Sequence, residues 1–407
     1  MNTAKVGYQQ TEVGIIPEDW EVVTVGDVFD FIKTYSNSRK DLSDIGDVEY
    51  LHYGDIHTKY KYHLDFDRYV LPKISSEKFK VNIEYAKNGD LFVADASEDY
   101  ADIGKSVEIV NLHNKKVVSG LHTFLLRDKG NSFSNGYKGF VFYNQNVSRT
   151  IKKIATGTSV LGISKTNLWK LKIPLPPKPE QQKIAEILTT WDKAIEKQSS
   201  LIAQKQQLKK GLMQKIFSQE VRFKANDGSD FPDWKDKKLG DVGIRKASNI
   251  SANELENNNG DYKIYGASGY LKSIDFYTEE DFYVAIVKDG AGVSRISLLE
   301  PKTSVLGTLA IIKAEQGSDI HFLYWLIQTI NFNKYIVGST IPHIYYRDYK
   351  TENIRIPSLE EQVKIAELLI TFDDEIAKLE QELNTLKAQK KGLMQKLLTG
   401  QIRVTIN

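Results

Sequence analysis

Two segments of this 407-residue chain, 181 positions apart, repeat the same sequence pattern without a gap. The motif Pro-x3-Glu-Gln-x-Lys-Ile-Ala-Glu begins at Pro176 and again at Pro357. A Lys-Lys-Gly-Leu-Met-Gln-Lys run and an isolated arginine recur at the same offset: Lys209–Lys215 and Lys390–Lys396, Arg222 and Arg403. A repeat of this length indicates a chain built from two similar halves.

Each repeated segment has a seam of residues at alternating steps of four and three, the spacing of a coiled coil. Nine of the ten seam positions are apolar in the second segment and seven in the first, where Gln198, Lys205 and Lys209 are polar. The spacing predicts two helices of roughly 38 residues, about 57 Å long at ~1.5 Å per residue. The seam positions are Ile184, Leu188, Trp191, Ile195, Gln198, Ile202, Lys205, Lys209, Leu212 and Ile216, then Ile365, Leu369, Phe372, Ile376, Leu379, Leu383, Leu386, Lys390, Leu393 and Leu397.

Helices of this length need a partner for the apolar stripe, because propensity alone does not stabilise them in water. The two stripes predict that the helices pack on each other. The repeat favours an antiparallel pair, although periodicity alone leaves the direction open. The alternative is that each helix only covers its own domain. Gly211 and Gly392 lie inside the helices at a cost of ~1 kcal/mol each, which indicates a close approach of another backbone or a bend.

The regions before the helices alternate short β-rich runs with turns, which predicts two domains that are mixed α/β or mainly β. With the two long helices, this makes an α+β protein with two mixed α/β domains in a pseudo-two-fold repeat the favoured fold class. The predicted divisions are residues 1–175 for domain 1, 176–225 for the first helix, 226–356 for domain 2 and 357–407 for the second helix. The expected strands are Val22–Val25, Asp90–Ala94, Ser106–Val110, Thr123–Arg127, Phe282–Lys288, Ser294–Leu299 and Thr308–Lys313, with helical patches at Gly136–Ala155 and His321–Val337.

Composition excludes several classes of function. The chain has no cysteine, which excludes disulfides and thiolate chemistry and suits a reducing cytoplasm. No HExxH pair, complete P-loop or GxGxxG motif occurs, so we expect no metal site and no catalytic residues in this chain. No run approaches ~20 apolar residues, so no membrane helix is expected. The net charge of +2 is modest, so any contact with nucleic acid must be local.

Basic residues interleaved with aromatic and hydroxyl side chains are the best candidates for a binding surface. Lysine and arginine hold phosphates, whereas tyrosine, histidine, asparagine and serine donate to phosphates or base edges. For any single tyrosine, a place in the core is the competing interpretation. We expect these residues to face DNA: Tyr35, Ser36, Asn37, Arg39, Lys40, Lys59, Tyr60, Lys61, Tyr62, Gly157, Thr158, Ser159, Arg245, Lys246, Ser248, Asn249, Ser339, Thr340, His343, Tyr345, Tyr346 and Arg347.

Several short motifs resemble the specificity (S) subunit of type I restriction-modification systems. They are Ile173–Pro177 followed by Glu180–Ala185, the two Gly-Leu-Met-Gln-Lys segments, Leu397–Gly400, Ile16–Trp20 and Tyr265–Gly269. The resemblance covers essentially the whole chain, since length, two-fold layout and both helices match. The motifs are short individually but specific together at these spacings.

The resemblance implies two target-recognition domains, each reading one half of a split DNA sequence, with the paired helices as a spacer. It also implies two methyltransferase subunits and restriction subunits as partners, which would carry S-adenosylmethionine, ATP and magnesium. A coiled-coil adaptor that binds only proteins is the alternative. A stand-alone DNA methyltransferase is less consistent, because the Asn-Pro-Pro-aromatic motif is missing.

Overall fold

The computed structural model describes residues 6–80 and 82–405. Contacts divide the chain into two compact units, Met1–Ser199 with Glu382–Asn407, and Ser200–Gln381. Each unit therefore contains one of the two predicted domains together with part of each long helix. The segment Glu382–Asn407 belongs to the first unit although it closes the chain, which is a consequence of the helix packing described below.

The strands of the first unit are β1 Tyr8–Thr11, β2 Gly14–Pro17, β3 Glu21–Thr24, β4 Phe29–Ile32, β5 Val48–Leu51, β6 Tyr62–Asp65, β7 Lys73–Ile74, β8 Leu91–Ala94, β9 Ala96–Ser97, β10 Ser106–Val110, β11 Val117–Ser119, β12 Thr123–Asp128, β13 Leu161–Gly162 and β14 Lys172–Leu175. Five of them form a mixed sheet in the order β4-β12-β8-β10-β6, in which only β10 and β6 run parallel. The others form a three-stranded sheet, β11-β5-β7, and three two-stranded sheets, β1-β2, β3-β14 and β9-β13. The short helices are α1 Val25–Val28, α2 Tyr53–Thr58, α3 Lys138–Val141, α4 Gln145–Ile154 and α5 Lys165–Trp169.

The strands of the second unit are β15 Lys235–Lys238, β16 Gly243–Ala247, β17 Tyr262–Gly266, β18 Gly269–Ile274, β19 Tyr283–Val287, β20 Ile296–Leu299, β21 Ser304–Val305, β22 Leu309–Ala314 and β23 Asn353–Ile356, which pairs with β15. They include a four-stranded antiparallel sheet in the order β16-β22-β19-β20 and a three-stranded sheet in the order β18-β17-β21. Two short helices, α7 Ile320–Gln328 and α8 Tyr346–Tyr349, follow the sheets. The long helices are α6 Lys178–Phe217 and α9 Leu359–Leu398, each of 40 residues.

The seven predicted strands are present within two residues at either end. The two predicted helical patches are shorter than expected because each is interrupted. The first is divided into α3 and α4, where the Asn144 side chain caps α4 by accepting from the amide of Asn146. The second ends at Gln328 and is followed by the 3₁₀ turn Phe332–Tyr335.

The predicted seam is confirmed, since all twenty seam positions of the two long helices are buried or partly buried. In the first unit the start of α6 lies beside the end of α9, where Lys390 pairs with Asp192. In the second unit the end of α6 lies beside the start of α9, where Lys209 pairs with Asp373 and Lys205 with Glu375. Both contacts require antiparallel helices.

The alternative that each helix covers its own domain is also partly realised. In the first unit Ile184 and Leu188 of α6 share a core with Leu397 of α9 and with side chains of domain 1. The same arrangement recurs in the second unit around Ile216 and Ile365. Gly211 and Gly392 have no non-neighbouring atom within 4 Å of an added Cβ among the described residues, so a close backbone approach does not explain them.

The Glu-Gln pair of the repeated motif ties the start of each long helix to its surroundings. Glu180 accepts hydrogen bonds from the indole of Trp20 at 2.8 Å and from Arg403 at 2.8 and 2.9 Å. Gln181 donates to the carbonyl of Pro176 and accepts from the amide of Ser134. The repeat makes the matching contacts in the second unit: Arg222 with Glu361, and Gln362 with Pro357 and Asp319.

Candidate nucleic-acid interface

Each domain presents an exposed loop closed by one antiparallel bridge. The bridges join Thr156 to Gly162 in domain 1 and Val337 to His343 in domain 2. Behind each bridge the next amide binds the end of the central strand: Ile163 donates to the carbonyl of Asp95, and Ile344 to that of Lys288. In each domain the loop is therefore held at the residue that directly follows an inner strand, Asp95 after β8 and Lys288 after β19. We call the two loops the domain 1 loop (156–162) and the domain 2 loop (337–343).

Glycine is required at the second residue of each loop. Gly157 has a φ of 127° and Gly338 a φ of 89°, a backbone region that side chains rarely adopt. A Cβ would lie 2.0 Å from the carbonyl oxygen of Val160 at the first position and 2.5 Å from that of Ile341 at the second. The predicted residues Gly157, Thr158 and Ser159, and likewise Ser339 and Thr340, are exposed beside a protruding valine or isoleucine.

A carboxylate–imidazole pair lies beside each loop. Asp95 lies 3.2 Å from Nδ1 of His122, and Asp289 lies 2.7 Å from Nδ1 of His343. Burial raises the pKa of the Asp95 carboxyl, an effect that His122 opposes. The sequence analysis identified His343 but missed His122 and both aspartates, because the partners are distant in sequence.

Two predicted cations of domain 1 meet at one buried carboxylate. Asp55 in α2 has a side chain that is 0% exposed and lies 3.4 Å from Arg39 and 3.1 Å from Lys59. Both cations keep about half of their side-chain surface in solvent, so they remain able to contact an external anion. Lys40 and Ser36 are exposed as well, and Asn37, partly exposed, accepts from Tyr50 through its carbonyl.

The structure corrects three of the predicted residues of domain 1. Tyr35, Tyr60 and Tyr62 are 7%, 6% and 4% exposed, so their side chains belong to the core. The Tyr35 hydroxyl accepts from the amide of Glu84, and Tyr62 packs against Phe140. Lys61, between Tyr60 and Tyr62, is exposed, with its ammonium 5.1 Å from the centre of the Tyr62 ring. Each of these tyrosines has a large apolar ring, and burial of that ring outweighs the polarity of its hydroxyl.

Domain 2 places exposed cations on the edge strand β16 and around α8. Arg245 and Asn249 are exposed, whereas Lys246 pairs with Glu279 at 2.6 Å. Arg347 lies 5.0 Å over the exposed ring of Tyr345.

Two predicted hydroxyls of domain 2 have internal partners. The Ser248 hydroxyl donates to the carbonyl of Val305, and that of Tyr346 donates to the carbonyl of Gly243 at 2.6 Å. Ser248 and Tyr346 are partly buried and orient the backbone. They are therefore less available to a ligand than Arg245 and Arg347.

An aromatic cluster surrounds Tyr53, which was not among the residues predicted to face DNA. The Tyr53 ring lies 4.6 Å from His52, 5.8 Å from His57 and 5.4 Å from His122, measured between ring centres. His57 bonds to the carbonyl of Ala96 on β9, the strand that pairs with the domain 1 loop. The density of histidine and tyrosine between residues 50 and 63 was the available signal, but it could not identify which members lie near the surface.

Lys390 is a buried cation on α9 of the first unit. Its ammonium pairs with Asp192 and lies 3.9 Å from the ring centre of Tyr62. Burial disfavours the charged form and lowers the pKa of Lys390 to about 8, while Asp192 acts in the opposite direction. At the matching repeat position, Lys209 pairs with Asp373 and lies 3.8 Å over the Trp325 ring.

Lys390 is expected to titrate near pH 8, far below the ordinary lysine value of about 10.4. The substitution Asp192→Asn removes a carboxylate that favours the charged ammonium, so the pKa of Lys390 should fall further. The pH dependence of competitive acetylation, followed by mass spectrometry of the Lys390 peptide, measures both values. Titration near pH 10.4 in the unmodified chain, or a rise in the Asn variant, would contradict this account of the site.

Neither a metal centre nor a membrane segment is present in the described part of the chain. Residues 6–80 and 82–405 contain no group of three or more histidine, aspartate or glutamate side chains able to hold a metal ion. Over the same ranges, no helix combines the length and the apolar character needed to cross a membrane.

Comparison with known proteins identifies the family. The profile of the type I restriction modification DNA specificity domain matches residues 17–204 and 232–388. Two relatives from Methanocaldococcus jannaschii align along nearly the whole chain. The putative type I restriction enzyme MjaX specificity subunit is 28% identical over 98% of this chain and 97% of that protein. The type I restriction enzyme MjaVIII specificity subunit is 27% identical over 96% and 94%.

Two solved structures share the fold. The S subunit of a type I restriction-modification system from M. genitalium has a TM-score of 0.55 and 17% identity, covering 93% of this chain and 96% of that one. A chain from a study of complex assembly and conformational transition of the type I R-M system has a TM-score of 0.57 and 16% identity, over 95% and 99%. Catalysis in such systems resides in partner subunits. This chain belongs to the type I restriction-modification specificity family, as a subunit that recognises the DNA target.

Proposed function

We propose that this chain reads a bipartite DNA target, one half with domain 1 (residues 1–175) and the other with domain 2 (residues 226–356). The helical segments 176–225 and 357–407 act as a scaffold for two methyltransferase subunits and for restriction subunits. S-adenosylmethionine, ATP and magnesium bind to those partners, and the assembly works in the cytoplasm, where the DNA is. The observation that carries this proposal is the recurrence of the same exposed loop in both domains.

The two loops suit the reading of base edges. Each offers hydroxyl groups, which donate or accept, next to an exposed β-branched apolar side chain, Val160 or Ile341. Hydroxyls can bond to any base edge, and an apolar side chain can contact the methyl group of thymine. Because the loop sequences differ, the two domains should select different half-sites.

The exposed cations of each domain suit contacts to phosphate. Arg39 and Lys59 in domain 1, and Arg245 and Arg347 in domain 2, are exposed beside residues with structural partners. Such contacts fix the register of a protein on the duplex without reading its sequence. The Asp289–His343 pair fixes the orientation of an imidazole next to the domain 2 loop.

Substitutions of the loop hydroxyls and substitutions of the exposed cations should have different effects on DNA binding. Arg347→Ala should weaken binding to every sequence and reduce the slope of log K against log salt by about 1. Thr340→Ala should relax the half-site read by domain 2, and Thr158→Ala the other half-site, with little change in the salt slope. Binding of the full chain to a randomised duplex library, sequenced after selection at several salt concentrations, measures both effects.

Lys237→Ala is the matched control, because Lys237 is exposed on β15 and belongs to neither candidate surface. It should leave the selected target and the slope unchanged. If all four variants select the same sequence with the same slope, the assigned surfaces are wrong. If the unmodified full chain shows no DNA preference in complex with its partners, the adaptor interpretation replaces the proposal.

A further inference from the structure

A large concave space lies in the first unit, between the strand β6 region of domain 1 and the paired ends of α6 and α9. Its volume is about 950 Å³, within the range of a ligand site. Seven lysine and arginine side chains line it, against three carboxylates. Four of these cations come from the helices, where Lys387, Lys390 and Lys391 of α9 share one face.

The three carboxylates of the cavity already have partners. Asp192 pairs with Lys390, and Glu196 lies 2.9 Å from Arg68. Asp65 accepts a hydrogen bond from Asn111 at 2.9 Å. Asn111 is neutral, so Asp65 keeps its charge, but seven cations against three carboxylates still leave the wall of the cavity positive.

Four lysines of the cavity have no carboxylate within 4.0 Å in the ranges that the structure describes: Lys61, Lys193, Lys387 and Lys391. Loss of hydration lowers the pKa of Lys61, and the nearby charges of Lys105, Lys387 and Lys391 lower it further, against an opposing effect of Asp192. Cations that repel one another around a concave space are stabilised when an anion enters it. Lysine suits phosphate, which it binds as a point charge.

We propose that this cavity binds phosphate groups, supplied by the backbone of the DNA that domain 1 recognises. This inference rests on the proposed function and adds the helix lysines Lys193, Lys387 and Lys391 to the DNA-contacting surface. The DNA backbone is the favoured source because the cavity is continuous with the candidate interface. Lys59 lines the cavity and also shares Asp55 with Arg39.

The second unit does not repeat this set of lysines. At the positions that match Lys387 and Lys193, it has Gln206 and Asp374, and of the three added helix lysines only Lys391 has a lysine counterpart, Lys210. The half-site read by domain 1 should therefore carry the additional phosphate contacts.

The test is the salt dependence with which the full chain binds a labelled random-sequence duplex. The double variant Lys387→Gln/Lys391→Gln should reduce the magnitude of the slope by about 2, since each lost phosphate contact removes roughly 0.9. The control variant Lys197→Gln/Lys210→Gln removes the same charge from exposed positions of α6 outside the cavity, and its slope should stay that of the unmodified chain. Circular dichroism checks that both variants remain folded.

A second measurement separates the two sources of phosphate. Inorganic tripolyphosphate and ATP are titrated into the chain without DNA. Binding that competes with DNA and is lost in the Lys387/Lys391 variant would retain the phosphate site but assign it to a free ligand. An unchanged slope without binding of either probe, or an equal fall in the control variant, would overturn the proposal. A different result is that the unmodified chain selects no target sequence while the Lys387/Lys391 variant still has the reduced salt slope. That result would contradict the proposed function and leave the cavity assignment standing.

Discussion

Arg403→Ala is expected to destabilise the first unit by about 3 kcal/mol. Arg403 forms a bidentate contact with Glu180, whose side chain is 0% exposed, and lies 2.7 Å from Asp19. Removing the arginine leaves the buried carboxylate of Glu180 without a cation, although the Trp20 indole still donates a hydrogen bond to it. Breaking one side of a buried ion pair typically costs about 3–5 kcal/mol, and the lower end applies because Arg403 is partly exposed.

Hydrogen exchange is the appropriate measurement, because a chain with two units does not unfold in a single two-state step. In the Arg403 variant, the protection of backbone amides from exchange should fall in β3, β14 and the start of α6. It should stay unchanged in the second unit. The matched variant Arg222→Ala removes the equivalent partner of Glu361 and should give the reciprocal pattern. Adding Glu180→Gln to Arg403→Ala should restore part of the protection, because the uncompensated charge is gone. Unchanged protection throughout the first unit of the Arg403 variant would contradict this account.

A half-chain of residues 1–225 is expected to form a symmetric dimer. The first unit needs the segment Glu382–Asn407, which this fragment lacks, so the apolar stripe of α6 around Ile184 and Leu188 loses its partner. The repeat offset of 181 makes residues 201–225 of a second copy the replacement for residues 382–406. Two identical domains on one two-fold axis should bind an inverted repeat of a single half-site, which rests on the proposed function.

The fragment of residues 226–407 should dimerise more firmly, because nine of its ten seam positions are apolar against seven in the first. In the full chain Lys205 is paired with Glu375. In a dimer of the first fragment the position matching Glu375 is Ala194, so Lys205 has no carboxylate opposite it. Sedimentation of both fragments tests the ranking. Monomers at micromolar concentration in both cases, or a firmer dimer of residues 1–225, would count against the helix-pairing account.

The helix seam was predictable position by position because its rule is local. A residue four or three steps along a helix returns to the same face, so the spacing of Ile365, Leu369 and Phe372 states which side is buried. The three polar exceptions needed the partner helix to be understood. Lys205 and Lys209 meet Glu375 and Asp373, and Gln198 donates to Glu382, so the seam remains paired where it is polar.

The candidate interface was predictable only in part. The glycine-hydroxyl loops at 157–159 and 338–340 were located because glycine and small polar residues recur at equivalent repeat positions. The sequence did not distinguish the buried tyrosines from the exposed ones, since a tyrosine has both an apolar ring and a polar hydroxyl and suits either a core or a surface. Tyr62 proved to be buried beneath Lys390, a residue 328 positions away, and no local pattern expresses that contact.

By itself the sequence determined the repeat, the length and buried face of both helices, seven of the strands and the resemblance to the family. The helices and strands could be predicted because each depends on the spacing of apolar residues within one element, and that spacing is visible in neighbouring residues. The tertiary structure alone decided which charges are buried and paired and which remain free. Lys390 and Lys391 are adjacent on α9, yet only Lys390 is buried and paired with a carboxylate, because its face points to Asp192 and Tyr62. Burial and charge pairing depend on what the fold brings together from distant parts of the chain.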